Sequence, residues 1–380
     1  MLYACAVLVL FVLYAAQPIQ PVFKETFALG DLQAVIFTTV IMLPLSVAPI
    51  LYGYLLENFS VKRMLRVSLL LLGILEICFA LSHSYAALIG IRALQGVLVP
   101  AALTSIVSCI SLSATAGNMQ RSMGNYVAIT ILGGFLGRFL SGISSEYFGW
   151  RPFFMLTGIG LVVLVFLLSG AEQDARSGFG KPAKKEIADI LGVRHNMLIC
   201  AAIFCVFFVF QGMLNFLPFE LRHINGNTGS GKTGFMYAGY LVGLVAALNV
   251  TRIIRFFQGA PQAMRAGMLV YITGLQVFHI QSFAVMFLAM FVFCLGMFTV
   301  HSLAAGWINK LAGRRKSITN GLYLSFYYAG GTLGTFLPGV FYHRWGWHAF
   351  VAVLTVVSLA ALGLIALLGR RALDAPPDAD

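Results

Sequence analysis

Long apolar stretches recur along the whole chain and are separated by short polar segments. A helix needs about 20 mostly apolar residues to cross the hydrocarbon core of a bilayer, and within lipid its backbone must satisfy its own hydrogen bonds. The pattern therefore predicts twelve membrane-spanning helices, which we number spans 1 to 12, at residues 1–22, 33–56, 64–82, 86–112, 123–145, 152–170, 196–219, 234–251, 265–279, 283–307, 319–342 and 347–369.

The polar segments divide this pattern into two halves. Residues 171–195 form the longest polar segment, are rich in lysine and lie near the middle of the chain. They predict a cytoplasmic linker between an N-terminal six-helix half, 1–170, and a C-terminal half, 196–370. Residues 371–380 predict a short disordered cytoplasmic tail. Residues 1–16 lack the basic leading region of a signal peptide, and their apolar run continues to Val22, which favours a first span.

Composition supports the bilayer as the solvent of this chain. Hydrophobic residues make up 59% of the sequence and charged residues 10%, whereas soluble domains carry about 25% charged residues. All six cysteines lie in apolar runs without a C-x-x-C pair, so we expect no disulfide framework, no metal and no cofactor.

The basic residues, which give the net charge of +12, are distributed unevenly along the chain. With the N-terminus inside, eighteen of the 25 lysines and arginines fall in cytoplasmic segments and five in outer loops. This bias predicts that both termini lie in the cytoplasm and that the protein resides in an inner membrane of bacterial type. It also explains the net charge without a nucleic-acid partner.

An internal repeat relates span 5 to span 11. Residues 124–153 and 321–350 are identical at twelve of thirty positions, at a constant offset of 197 residues. The two halves are therefore parallel duplicates, an arrangement typical of secondary transporters that hold substrate near mid-membrane. Glycines at small-residue spacing favour close helix packing, and the candidates are Gly133, Gly137, Gly330 and Gly334.

Two segments of the N-terminal half resemble motifs of the major facilitator superfamily. The loop after span 2 resembles that family's G-x-L-x-D-R-x-G-R-R/K loop through Gly53, Glu57, Lys62 and Arg63, with Glu57 replacing the aspartate and Ser60 the second glycine. Span 4 carries Arg92-Ala-Leu-Gln95-Gly96, which is similar to the family's R-x-x-Q-G motif. Residues 14–21 and 296–307 resemble the bacterial branch that exports drugs and other small molecules.

The resemblance implies an all-α integral membrane protein with twelve transmembrane helices in two pseudo-symmetric six-helix halves. It implies a secondary transporter, not an enzyme, that exports small organic molecules by alternating access in antiport with protons. Its partners would be a small-molecule substrate, protons and the lipid bilayer. Two alternatives stay open: uptake or facilitated transport of a small metabolite or organic anion, and a membrane receptor or scaffold that does not transport.

Three formally charged residues fall well inside the predicted spans, and such residues mark functional sites because they are costly in lipid. Glu76 and Arg92 lie eight residues on either side of Ser84, so at about 1.5 Å per residue they sit at similar depth. Glu76 is a candidate proton carrier tuned by Arg92, and the alternative is a static ion pair. Arg138 interrupts the repeat at Thr335, and it either meets an anionic group of a substrate or lipid or caps backbone carbonyls.

Several polar and aromatic side chains complete the candidate set. Gln95 accompanies Arg92 in the span 4 motif, and His301 is either a proton relay or a packed hydrogen-bonding residue. Candidates for lining a transport cavity, each also explicable by packing, are Gln17, Phe208, Gln211, Asn215, Tyr323 and Tyr327. Residues 226–233 fit the P-loop pattern, but they lie in an outer loop without a preceding strand, so we expect no ATP partner.

Overall fold

The structure is a computed structural model that describes residues 1–49, 60–113, 119–168, 184–226, 228–311 and 316–368. Each of the twelve predicted spans coincides with helix in this part of the chain, and none of the described residues forms a β-strand. The predicted all-α fold class is therefore confirmed.

The N-terminal half begins with a broken helix. In span 1 Pro18 and Pro21 lack amide hydrogens, and a 3-10 turn, Gln17–Ile19, separates two helical pieces. The helices of spans 1 to 6 are Leu2–Tyr14 with Gln20–Thr26, Asp31–Met42 extended by the 3-10 turn Leu43–Ser46, Val61–Leu81, Tyr85–Ser113, Met119–Tyr147 and Arg151–Leu167.

The C-terminal half contains the longest and the most broken helices. A short helix, Lys184–Gly192, occupies part of the predicted linker, and span 9 begins at Ala260, five residues before its predicted start. The remaining helices are Arg194–Asn225, Ser230–Met236, Tyr240–Leu248, Val250–Phe256, Ala260–Val277, Phe283–Leu311 and Lys316–Ala366. The 3-10 turn Tyr237–Gly239 joins Ser230–Met236 to Tyr240–Leu248.

A count by helix length and apolar composition gives fewer membrane spans than twelve. Among the described residues, seven helices are long and apolar enough to cross a bilayer, and a pair bent by 68°, Ser230–Leu248 with Val250–Phe256, makes an eighth. The helix Lys316–Ala366 contains both span 11 and span 12, with a break at Gly346. Asp31–Ser46 and Arg151–Leu167 are shorter apolar helices.

The helices form two compact units. The first comprises Met1–Gly180 and Leu214–Leu241, and the second comprises Lys181–Met213 and Val242–Asp380. The division differs from a single boundary in the linker, because the end of span 7 and the start of span 8 pack within the first unit. Glycines permit this packing: a Cβ atom on Gly234 would lie 2.9 Å from the carbonyl oxygen of Arg138.

An aromatic cluster fills the core of the first unit at its predicted outer end. The ring of Phe23 lies 5.2 Å from Trp150 and 4.4 Å from Phe37, and Phe79 lies 5.7 Å from Trp150. These rings come from spans 1, 2, 3 and 6, and most of the pairs are tilted or edge to face, the geometry that aromatic quadrupoles favour. The cluster packs span 3, which carries Glu76, against spans 1, 2 and 6.

The 197-residue repeat reappears in the helix contacts of the two units. In the first unit Gly133 contacts Val7 and Gly137 contacts Phe11; in the second Gly330 contacts Phe204 and Gly334 contacts Phe208. Every member of the second set lies 197 residues after its counterpart. The turns that follow also correspond, because Gly149 and Gly346 have φ angles of 81° and 78°.

Candidate functional site

The structure separates the predicted site residues into two groups. The first unit contains Gln17, Glu76, Arg92, Gln95, Arg138 and Asn215, and the second contains Phe208, Gln211, His301, Tyr323 and Tyr327. Gly53 and Glu57 lie outside the described residues. Lys62 and Arg63 occupy the first turn of Val61–Leu81, which Ser60 caps by accepting a hydrogen bond of 3.1 Å from the amide of Arg63.

Glu76 lies in the middle of span 3 and is fully buried. Among the residues that the structure describes, neither of its carboxyl oxygens has a hydrogen-bond partner. A carboxylate in such a place is costly, whereas the neutral acid needs far less compensation. The geometry of this site therefore favours a proton on Glu76 in this conformation.

Arg92 is fully buried on span 4 and contacts span 1 instead of forming an ion pair. Its Nη1 donates to the carbonyl of Val12 at 2.6 Å and to Gln95 Oε1 at 3.0 Å. Its guanidinium carbon lies 5.1 Å from the ring centre of Phe79, one turn beyond Glu76. The described residues contain no salt bridge between Arg92 and Glu76, so the static ion pair suggested by the hairpin is absent from this conformation.

Arg138 lies on span 5 and is also fully buried. Its Nε donates to Gln17 Oε1 at 2.7 Å, and its Nη1 donates to the carbonyl of Gly134 at 2.6 Å. In the described part of the chain, the remaining nitrogen, Nη2, has no hydrogen-bond partner, and no acidic side chain forms an ion pair with Arg138. The bond to Gly134 is the carbonyl capping predicted as one of two roles for Arg138, but it involves only Nη1.

Three tyrosine rings surround the guanidinium of Arg138. The distances from its central carbon to the ring centres are 4.0 Å for Tyr14, 4.9 Å for Tyr240 and 5.3 Å for Tyr237. The hydroxyl of Tyr237 donates to the carbonyl of Leu214 at 2.8 Å. Aromatic faces attract a buried cation, which partly offsets its lost hydration.

A buried network of neutral side chains adjoins this cation. Gln17 Nε2 donates to Asn215 Oδ1 at 3.3 Å, and Gln20 Nε2 donates to the same oxygen at 2.7 Å and to Thr38 Oγ1 at 2.9 Å. Gln20 Oε1 is buried without a hydrogen-bond partner. The network joins spans 1, 2 and 7 within the first unit.

Charged contacts cover the network at the predicted outer end of the first unit. Lys24 and Asp31 form an ion pair of 2.7 Å, and Arg222 pairs with Glu25. Glu146 Oε2 accepts a hydrogen bond of 2.6 Å from the amide of Gly231, inside the P-loop-like segment. That segment follows the helix Arg194–Asn225, not a strand, and its amide already binds a carboxylate, so it lacks the context of a phosphate loop.

His301 lies among aromatic residues of the second unit. The hydroxyl of Tyr323 is 2.9 Å from His301 Nδ1 and 3.1 Å from the His301 carbonyl oxygen. The ring of Tyr327 lies 4.7 Å from the His301 ring and stacks on Phe207 at 3.5 Å. Phe208 packs against Gly334, and Gln211 is fully buried.

Sequence reasoning missed several members of the Arg138 surroundings. Gln20 lies three residues from Gln17, a spacing that places both side chains on neighbouring positions of a helix face, and this signal could have found it. Tyr237 and Tyr240 carry no such signal, because only the packing of spans 5 and 8 brings them to Arg138. Glu220 is a buried acid just beyond the predicted end of span 7.

Comparisons with known proteins agree on one family. A model of the Major Facilitator Superfamily matches residues 2–259. An uncharacterized MFS-type transporter of Bacillus subtilis (strain 168), YybF, is 25% identical over 369 residues, which cover 94% of this chain and 90% of YybF. The inner membrane transport protein YnfM of Escherichia coli (strain K12) is 26% identical over 358 residues, with coverages of 91% and 85%.

A solved structure shares the fold at low sequence identity. A mutant of the nucleoside transporter NupG superposes with a TM-score of 0.80 over 97% of this chain and 99% of NupG, at 11% identity.

Proposed function

Since the chain belongs to the Major Facilitator Superfamily, we propose that this multi-pass membrane transporter exports small organic molecules by alternating access in exchange for protons. We further propose that it resides in a bacterial inner membrane with both termini in the cytoplasm. The name of YnfM as an inner membrane transport protein supports the location, and the uneven distribution of lysine and arginine supports the orientation.

The observation that carries the proton coupling is the buried, unpartnered carboxyl of Glu76. A group that holds its proton when buried and releases it when water or a cation approaches can carry protons across a membrane. Arg92 supplies a fixed cation nearby, and its hydrogen bond to the carbonyl of Val12 couples it to span 1. A change at span 1 would therefore alter the field at Glu76.

The energetics of such an exchange are adequate. One proton that moves inward through 100 mV releases about 2.3 kcal/mol, which corresponds to a concentration gradient of roughly fifty-fold for a neutral substrate. Exchange of one proton for one molecule is therefore enough to expel a toxic or surplus compound.

Uptake or facilitated transport of an organic anion is the second candidate. The observation in its favour is Arg138, a buried cation with no ion-paired acid among the described residues. In this direction a proton carried by Glu76 and an anion would enter together, and the charge of the proton would offset that of the anion.

Inverted membrane vesicles with an acid interior test the proposal. A fluorescent pH probe reports proton loss when lipophilic cations, neutral drugs or organic anions are added. We expect one class to release protons from vesicles with the wild-type chain and not from vesicles without it. Glu76→Gln keeps the shape of the side chain but cannot exchange the proton, so it should abolish this release.

The matched control is Glu146→Gln, because Glu146 is an exposed carboxylate whose amide replacement can still accept from Gly231. This variant should release protons like the wild type. Proton release that persists in Glu76→Gln would exclude Glu76 as the carrier. No release for any compound, together with uptake of a labelled anion in right-side-out vesicles, would support the second candidate.

A further inference from the structure

We propose that the Arg138 cluster, defined as Arg138, Gln17, Tyr14, Tyr237 and Tyr240, binds the carboxylate of a small organic anion. The inference rests on the proposed transport function and names the chemical class of the substrate. It is carried by the hydrogen bonding of the guanidinium, by its burial and by the internal repeat.

The guanidinium presents one edge that is only half occupied. Nε and Nη2 lie on the same edge of this planar group. Nε donates to the neutral oxygen of Gln17, and Nη2 has no hydrogen-bond partner among the residues that the structure describes. A carboxylate offers two coplanar oxygens that fit such an edge and form two charge-assisted hydrogen bonds. A carboxylate that displaces Gln17 Oε1 would satisfy both nitrogens, while Nη1 keeps its bond to the carbonyl of Gly134.

The surroundings favour an anion over a neutral ligand. Arg138 is fully buried, and the rings of Tyr14, Tyr237 and Tyr240 lie within 5.3 Å of its central carbon. A buried cation without a counter-charge is costly, and the polar atoms supplied here are all neutral. Because the site excludes water, the attraction between Arg138 and an anion would be far stronger than at a surface.

The fold itself does not require an arginine at this position. The repeat places Thr335 at the equivalent point of the second unit, where its hydroxyl donates to the carbonyl of Thr332 at 2.6 Å and its side chain is buried. The flanking glycines of both copies make the same kind of helix contact. The cation is therefore an addition to a scaffold that folds without it.

Anion binding would break the hydrogen bond between Arg138 and Gln17 and so change the contacts among the helices. Gln17 links Arg138 to Asn215 of span 7, and Asn215 is held in turn by Gln20. A carboxylate that takes the place of Gln17 Oε1 removes the connection from span 5 to span 7 through this network. Binding would thereby favour the opening of the cluster that alternating access requires.

The test is an equilibrium binding measurement on the purified full-length chain, without any proton gradient. Radiolabelled benzoate is the probe, and benzamide, which has the same shape without the charge, is the competitor. We expect benzoate to bind and unlabelled benzoate to compete, while benzamide competes at least tenfold more weakly. Arg138→Gln should weaken benzoate binding by about 10- to 100-fold, the effect of losing hydrogen bonds to a charged group.

Two further variants make the test decisive. Arg138→Lys keeps the charge but not the planar edge, so it should fold, bind benzoate less tightly and still discriminate against benzamide. Arg344→Gln removes an exposed arginine beside Trp345 and should bind like the wild type.

Lack of benzoate binding to the wild type, or equal competition by benzamide, would overturn the carboxylate site. Wild-type affinity for benzoate in a folded Arg138→Gln protein would also overturn the carboxylate site. If benzoate fails while Glu76-dependent proton release with another compound persists, the export function stands and only the anion site falls.

Discussion

His301 illustrates how a polar residue in a membrane helix is satisfied by its neighbours. Its Nδ1 is paired with the hydroxyl of Tyr323, and its ring packs against Tyr327. A partnered histidine of this kind positions helices, and it need not exchange protons during transport. The contrast with unpartnered Glu76 separates a packing residue from a candidate carrier.

We therefore expect His301→Gln to leave the pH profile of transport unchanged. Initial rates would be measured in inverted vesicles between about pH 6 and pH 8, where a free imidazole titrates. Glu76→Gln serves as the comparison, since it should remove the pH dependence altogether. A shift of the profile in His301→Gln would establish a relay through His301 and would contradict the packing role.

Gly149 and Gly346 occupy equivalent positions of the repeat and should respond alike to substitution. Both lie in the turns after spans 5 and 11 with φ near +80°, and a Cβ atom at either would meet nothing within 4 Å. Replacement by alanine should therefore cost only backbone strain, about 1 kcal/mol in the free energy of unfolding.

Thermal unfolding in one detergent would check this pair. We expect Gly149→Ala and Gly346→Ala to lower the melting temperature equally, and Gly124→Ala, which is equally open but helical, to leave it unchanged or raise it. Clearly unequal losses would show that the two turns are not equivalent.

Charge placement could be predicted at the level of single residues, but hydrogen bonding could not. The sequence pointed to Glu76, Arg92 and Arg138 because charges are rare in apolar runs. It suggested an ion pair between the first two, whereas the fold turns Arg92 toward span 1. Partners such as Gln17 and Tyr240 lie more than 100 residues from Arg138 in sequence, and only tertiary packing selects them.

At the scale of helix elements, glycines set how closely spans 1 and 5, and spans 7 and 11, approach each other. A Cβ atom on Gly334 would overlap the carbonyl oxygen of Phe208, whereas one on Gly137 would lie 3.1 Å from the Cα of Phe11. The second unit is thus packed more tightly at this crossing than the first, although the repeat makes the two crossings equivalent in sequence.

This difference predicts an order of stability among alanine variants. Gly334→Ala should destabilise most, by about 3 kcal/mol or more, because a backbone carbonyl must move. Gly137→Ala should cost less, and Gly363→Ala, whose Cβ meets nothing within 4 Å, should cost nothing. Melting temperatures of the purified variants would check the order, and a Gly334→Ala protein that melts like the wild type would contradict the contact.

Helix existence was predictable from hydropathy, but helix ends were not. In the described residues, each of the twelve apolar runs contains helix, because lipid leaves the backbone no other way to satisfy its hydrogen bonds. Pro18 and Pro21 divide span 1, and span 9 extends back to Ala260 through residues that are not apolar enough to be counted. The grouping of residues 214–241 with the first unit depends on contacts between Gly142 and Gly234 that no local pattern encodes.

At the scale of the whole molecule, the distribution of basic residues predicts one orientation. In the predicted twelve-span topology, eighteen lysines and arginines fall on the side of the termini and five on the other side, and such a bias favours the more basic side for the cytoplasm. We expect green fluorescent protein fused after Asp380 to fluoresce, because it folds in the cytoplasm. Alkaline phosphatase fused after Ser84, in the turn between spans 3 and 4, should be active because it folds only outside.

Exchanging the reporters between the two positions provides the control, and both exchanged fusions should be inactive. Active phosphatase at the C-terminus would show that the orientation is the reverse of the predicted one. It would also change the mechanism, because the network of Arg138, Gln17 and Asn215 would then lie at the cytoplasmic end of the first unit. An anion that releases Gln17 would in that case open the site toward the cytoplasm, and the proposed export would have to be tested in vesicles of the opposite sidedness.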